Sequence, residues 1–207
     1  ALALLCSRQW RALAGFAAGA VSLLGLSALA AGPENLLRWW QTMQLYANLA
    51  SGQIEALRRY KYLDASSFLH TLAGPGHQWP TLAASVLSAF LVFALARAWF
   101  HAPRSSPHAP HLRWAATLAS ALVVNLYVPA YDALPLIPAA LLAARHLDSP
   151  AFRWWIAALY LAAWITQSLA EFARFQLYTP LLAAFGLWCL HHATRSPANP
   201  VDTIKKN

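Results

Sequence analysis

The sequence predicts an all-α fold: a polytopic membrane helix bundle of about six transmembrane helices plus an interfacial amphipathic helix. Three observations carry this. First, 59% of the 207 residues are hydrophobic and only 11% are charged. Soluble domains are about 25% charged, so this chain has too little charge to coat a water-facing surface of its size. Second, the apolar residues fall into runs close to the length of about 20 that a spanning helix needs. Third, the chain has 10 Trp and 7 Tyr, both of which favour the membrane–water interface.

The first span is Ala12 to Ala31, which holds no charge. "AGPEN" stops it, because Gly and Pro punctuate helices. Residues 32–78 then turn polar and form a long loop. Within it "ENLLRWWQTMQLYANLA" places Leu36, Trp40, Met43, Ala47 and Ala50 on one face. Such a stripe, rich in aromatics, predicts a helix lying in the interface plane. The second span is Trp79 to Trp99. "HAPRSSPHAPHLR" follows as a solvated, Pro-rich loop; its His101, His108 and His111 lack a Cys or carboxylate partner, so no metal site is expected there.

Between Arg113 and Arg145 the single charge is Asp132. One helix over that stretch would be about 46 Å long, against a hydrocarbon core of about 30 Å. The chain must therefore fold back, and "NLYVPAYD" is the corner, since residues before a proline avoid the helical region. The third span is then Trp114 to Val128 and the fourth Ala133 to Leu147. The fifth is Trp154 to Ala170, "EFARFQ" is a polar corner, and the sixth is Leu177 to His192. Pro180 sits in its first turn, where proline is tolerated. Residues 1–192 form the membrane domain and residues 193–207 a polar cytoplasmic tail.

Loop charges orient the bundle. One side holds Arg8, Arg11, Arg97, Arg104, Arg113, Arg145, Arg153, Arg195, Lys205 and Lys206; the other holds Arg38, Arg58, Arg59, Lys61 and Arg174. The positive-inside rule makes the first side cytoplasmic, with both ends of the chain there, in a cell (inner) membrane. The polar residues of the long loop and the two corners then meet on the outer face. Among them, Arg58, Arg59, Lys61 and Arg174 offer cations for a phosphate. Asn125, Tyr127, Tyr131 and Asp132 offer partners for hydroxyls.

The net charge of +8 does not read as a nucleic-acid footprint, because the basic residues punctuate apolar runs instead of clustering. Cys6 and Cys189 are far apart and have no CxxC partner, so neither a disulfide framework nor a metal is expected. No cofactor is expected either. Residue 1 is Ala, Met43 is the one methionine, and "ALALLCSRQWR" reads like the tail of an earlier helix. The expectation is that a preceding N-terminal part exists.

The corner "NLYVPAYDALPLIPAALLAARHL" resembles the aromatic Tyr-Asp corner of glycosyltransferase family 87. "SRQWRALAGF…LAAGPENLLRWW", "SSFLHTLAGPG" and "FQLYTPLLAAFGLW" are similar to that family in the same order, over most of residues 8–190. The resemblance implies a GT-C superfamily membrane glycosyltransferase using a polyprenyl-phosphate-linked sugar. It would move a hexose, with mannose the leading candidate, to a glycan or lipid acceptor on the non-cytoplasmic face. Its partners would be membrane lipids, the lipid-linked sugar and the acceptor. The family's catalytic aspartate, in an outer loop after the first span, has no match here, so the resemblance fits a C-terminal half without its general base. Two other classes compete. A transporter or lipid flippase also breaks helices near polar clusters, but places them near the bilayer midplane. A non-catalytic scaffold would leave the polar residues scattered.

Overall fold

The computed structural model describes residues 2–50, 61–74, 76–101, 109–125, 128–129, 132–145, 147 and 149–194. Within them the fold is all-α. The helices are α1 (Leu2–Cys6), α2 (Trp10–Ala31), α3 (Pro33–Ala50), α4 (Ala65–Ala73), α5 (Trp79–Phe100), α6 (Ala109–Val124), α7 (Leu136–Ala144), α8 (Pro150–Ala173) and α9 (Tyr178–Thr194). The one non-helical pairing among the described residues is an isolated antiparallel bridge between Tyr62 and Pro129.

Three helices are long and apolar enough to cross a membrane: α2, α5 and α8. Each rises about 33–36 Å, enough for the hydrocarbon core with some tilt. The third and sixth expected spans appear as α6, of 16 residues, and α9, of 17. The fourth appears as α7, of only 9 residues. That helix rises about 14 Å, roughly half the core. Its shortness is set at both ends: the turn through Leu134 and Pro135 takes residues the expected span had assigned to helix, and the helix stops at Ala144, short of the expected Leu147.

The "GPE" stop operates as expected. Gly32 has φ +84° and its N–H reaches back to the Ala28 carbonyl at 2.9 Å. An L side chain is strained in that region, so glycine is the residue that closes α2 there. Pro33 then opens α3 at the first position, where its missing N–H is no loss, and Glu34 follows in the first turn. The predicted amphipathic helix is therefore present. Trp39, Trp40 and Leu45 on it are exposed.

α6 is the hub, lying against α9, α7 and α5. Its contact face is built of small residues: Ala115, Ala116, Ala119 and Ser120 are all fully buried. Opposite them on α9 sits Gly186, so close that a Cβ added there would lie 2.7 Å from Ser120 Oγ. Small residues let membrane helices approach at backbone distance, where dispersion contacts replace the hydrophobic drive that lipid removes. Leu182, Phe185 and Cys189 continue the α9 face, and Leu63, Leu91 and Val123 complete the core. Trp155 of α8 packs on Phe185 and Trp188 of α9, at 6.0 and 6.2 Å between ring centres.

The last part of the expected Pro-rich loop differs from its reading. Ala109 to Arg113 are helical, and Ala109, Leu112 and Arg113 are buried within α6. Pro110 sits in the first turn of that helix, where it costs no hydrogen bond. α2 is the opposite case: none of its residues is buried, and it packs only against its chain neighbours α1 and α3 among the stronger helix contacts.

Candidate functional site

The polar residues of interest converge through backbone ties between three segments far apart in sequence. Residues 61–64 approach the end of α6 in extended form. Tyr62 bridges Pro129, and the Leu63 N–H donates to the Val128 carbonyl at 2.8 Å. From the α8–α9 corner, the buried Gln176 amide donates to the Tyr62 carbonyl. The Thr179 hydroxyl lies 2.8 Å from the Leu63 carbonyl and 2.7 Å from Gln176 Oε1. A buried backbone carbonyl must find a donor, so these contacts fix the position of residues 62–64 against the apolar bundle.

Asp64 then starts α4. One carboxylate oxygen accepts from the Ser67 N–H and the other from the Ser67 hydroxyl, each at 2.8 Å. This is an N-cap at the place the "LDASSF" pattern encodes it. The carboxylate is fully buried and occupied with the cap, so it positions α4. His70, buried one turn later, pairs through Nε2 with the Thr81 hydroxyl at 3.1 Å and ties α4 to α5. Phe68 meets Phe175 edge to face at 5.9 Å, tying α4 to the α8–α9 corner. α4 ends at Gly74, with φ +79°.

Arg174 is the C-cap of α8 in the left-handed region, at φ +53° and ψ +27°. That conformation costs a side-chain-bearing residue about 1–2 kcal/mol. It turns the chain sharply into Phe175 and brings the Arg174 guanidinium over Gly74, 3.5 Å from where a Cβ would stand. Arg174 is exposed. Asp132 is exposed too, in the turn after α6, with its N–H on the Pro129 carbonyl at 2.9 Å. Neither side chain makes a hydrogen bond or ion pair among the described residues, which leaves one cation and one carboxylate open to a ligand.

Of the residues singled out from sequence, Asn125 at the end of α6, Asp132, Lys61 and Arg174 lie at one end of the bundle. Arg58, Arg59, Tyr127 and Tyr131 lie outside the described residues. Gln176, Thr179, Asp64 and His70, which the sequence reading does not assign to the site, hold it together. Among the described residues no group of three or more His, Cys, Asp or Glu comes together that could hold a metal.

The model of Glycosyltransferase family 87 matches residues 1–129, more than half of the chain. The chain belongs to glycosyltransferase family 87. No curated protein and no solved structure matches it. The family 87 match takes in α1 to α6, the 61–74 segment and the Tyr62–Pro129 bridge. Asp132, Arg174 and the α8–α9 corner come after it, joined to the matched part by the contacts above. This family 87 chain is a membrane protein by its apolar helices and its family.

Proposed function

We propose that this chain is the C-terminal half of a membrane glycosyltransferase that transfers a hexose from a polyprenyl-phosphate carrier to a glycan or lipid acceptor on the non-cytoplasmic face. The observation that carries the proposal is the convergence of the 61–74 segment, the corner after α6 and the α8–α9 corner at one end of the bundle. With the family, that convergence supports a transferase over a scaffold. The exposed position of Asp132, in a turn past the end of α6, supports a face-located site over a midplane transport site.

In such a transfer the sugar–phosphate bond breaks as the acceptor oxygen attacks, and negative charge builds on the departing phosphate. Cations aimed at that charge stabilise the transition state more than the ground state. Arg174 and Lys61 take this role, joined by Arg58 and Arg59. Asp132, with Tyr131, Tyr127 and Asn125, orients sugar hydroxyls. The general base comes from outside this chain. The exposed Trp39 and Trp40 on α3 guide the polyprenyl tail in the interface.

The test uses membranes expressing the complete reading frame, supplied with polyprenyl-phosphate-linked radiolabelled mannose and, separately, other lipid-linked hexoses. Label moves into a lipid or glycan acceptor. Asp132→Asn and Arg174→Gln each lower donor turnover at least tenfold, about 1.4 kcal/mol of lost transition-state binding. Label that crosses the bilayer with its sugar–phosphate bond intact would make the protein a transporter.

A further inference from the structure

Arg113, near the other end of α6, makes no ion pair among the described residues. A guanidinium stays ionised in a protein, and burying one costs several kcal/mol unless an anion or enough acceptors meet it. Arg113 is only 6% exposed. Its Nε donates to the Ala109 carbonyl of its own helix at 3.2 Å. The guanidinium carbon stands 5.3 Å from the ring centre of Trp99 on α5. These contacts use one of the five N–H donors that the fork carries. Among the described residues nothing accepts from the other four.

The surroundings are rigid. Trp99 Nε1 donates to the Thr117 hydroxyl at 3.1 Å, and that hydroxyl donates to the Arg113 carbonyl at 2.7 Å. Trp114 meets Trp99 edge to face at 5.1 Å, and Ala3 and Cys6 of α1 pack on the same ring. Among the described residues Ser120 Oγ is the sole buried side-chain polar atom without a partner. Arg97 in the last turn of α5 and Arg8 in the α1–α2 turn are exposed, and no Asp or Glu occurs between residues 65 and 131. Flanking α5 presents hydrocarbon: Phe93 is 67% and Phe100 60% exposed.

We propose that Arg113, backed by Trp99, binds the phosphate of an anionic phospholipid headgroup. The site is distinct from the transferase site. Arg113 and the end of α6 at Val124 are about 16 Å apart along the helix. Basic notches between membrane helices suit such headgroups, because the phosphate meets the planar fork while the acyl chains lie along the apolar flank. A free phosphate carries the same charge but gains nothing from that flank.

The experiment places the full-length protein in phosphatidylcholine nanodiscs and titrates in phosphatidylglycerol. Retained lipid is read by native mass spectrometry and stability by thermal unfolding. Wild type retains phosphatidylglycerol preferentially and unfolds at higher temperature with it. Arg113→Gln lowers that retention about tenfold, the value of a charge-assisted hydrogen bond; Arg97→Gln, on the exposed surface, changes it less than threefold. Equal retention by Arg113→Gln overturns the proposal. Equal stabilisation by inorganic phosphate alone overturns the lipid as its source. Should Arg113→Gln fail to fold, a photoactivatable phosphatidylglycerol on wild type decides. Adducts on residues 94–101 and 109–117 support the site; adducts confined elsewhere overturn it.

Discussion

Gly186→Ala tests the packing on which the bundle rests. The added methyl carbon would stand 2.7 Å from Ser120 Oγ, 3.5 Å from the Ala116 carbonyl oxygen and 3.7 Å from the Ser120 nitrogen. The first distance is about 0.5–1 Å inside ordinary contact, and the other two atoms are helix backbone that cannot yield separately. Overpacking of this kind costs about 1–3 kcal/mol. The clash is carried mainly by one hydroxyl, and that hydroxyl has no hydrogen-bond partner. Ser120→Ala should therefore be neutral or stabilising, since it deletes a buried unpaired group. In the double variant most of the Gly186→Ala cost should vanish, giving a coupling energy of at least about 1 kcal/mol. Reversible unfolding in mixed micelles is the assay. Trp188, two residues from Gly186 and packed on Phe185 at 6.2 Å, supplies the fluorescence signal. A Gly186→Ala cost under about 0.5 kcal/mol, or no rescue by Ser120→Ala, would refute the close crossing of α6 and α9.

Arg174→Gly should separate stability from activity. Relief of the left-handed backbone raises stability by about 1 kcal/mol in unfolding assays, while donor turnover falls because the cation is gone. Gln176→Leu leaves the Tyr62 carbonyl without its donor and should cost about 1–3 kcal/mol in the same unfolding assay. Asp64→Ala removes the α4 cap and should cost about 0.5–2 kcal/mol, with Asp64→Asn costing less, measured by the same unfolding assay. Gly74→Ala should cost about 1–3 kcal/mol for its backbone at φ +79° and ψ −177°, a region essentially reserved for glycine; the 3.5 Å approach to Arg174 adds little, so turnover per folded molecule stays near wild type.

Much of the fold was legible because it rests on local chemistry. Uncharged runs of spanning length gave α2, α5 and α8, and "GPE" gave the α2–α3 break. The 3.6-residue spacing of Leu36, Trp40 and Met43 gave α3. What escaped depended on contacts across the chain. Nothing local says that Gln176 serves the carbonyl of Tyr62, 114 residues away. Arg113 looked like a loop charge because Pro110 and the nearby histidines read as loop, yet proline in a first turn is compatible with helix. α7 was overestimated because apolar composition sets an upper limit on a span; the turn at Leu134 and Pro135 and the stop at Ala144 set the actual length. At the site, the end of the bundle where Lys61, Asn125, Asp132 and Arg174 gather followed from alternating spans. The "LDASSF" pattern marks Asp64 as a cap, but its burial and the hold of both its oxygens on Ser67 show only in the fold.

The elbow at Gly32 gives the enzyme a mechanical link to its solvent. With no residue of α2 buried and only α1 and α3 packed on it among the stronger helix contacts, hydrocarbon has the main hold on the slant of that helix, and the slant changes with bilayer thickness. α3 is joined to it through a single residue, so a thicker or thinner membrane swings the tryptophan-bearing rod across the headgroup plane while α4 to α9 stay braced by their own core. On the proposed function, lipid tails of different length should then tune how readily a carrier's chain is admitted, with no change in any residue proposed to touch the sugar.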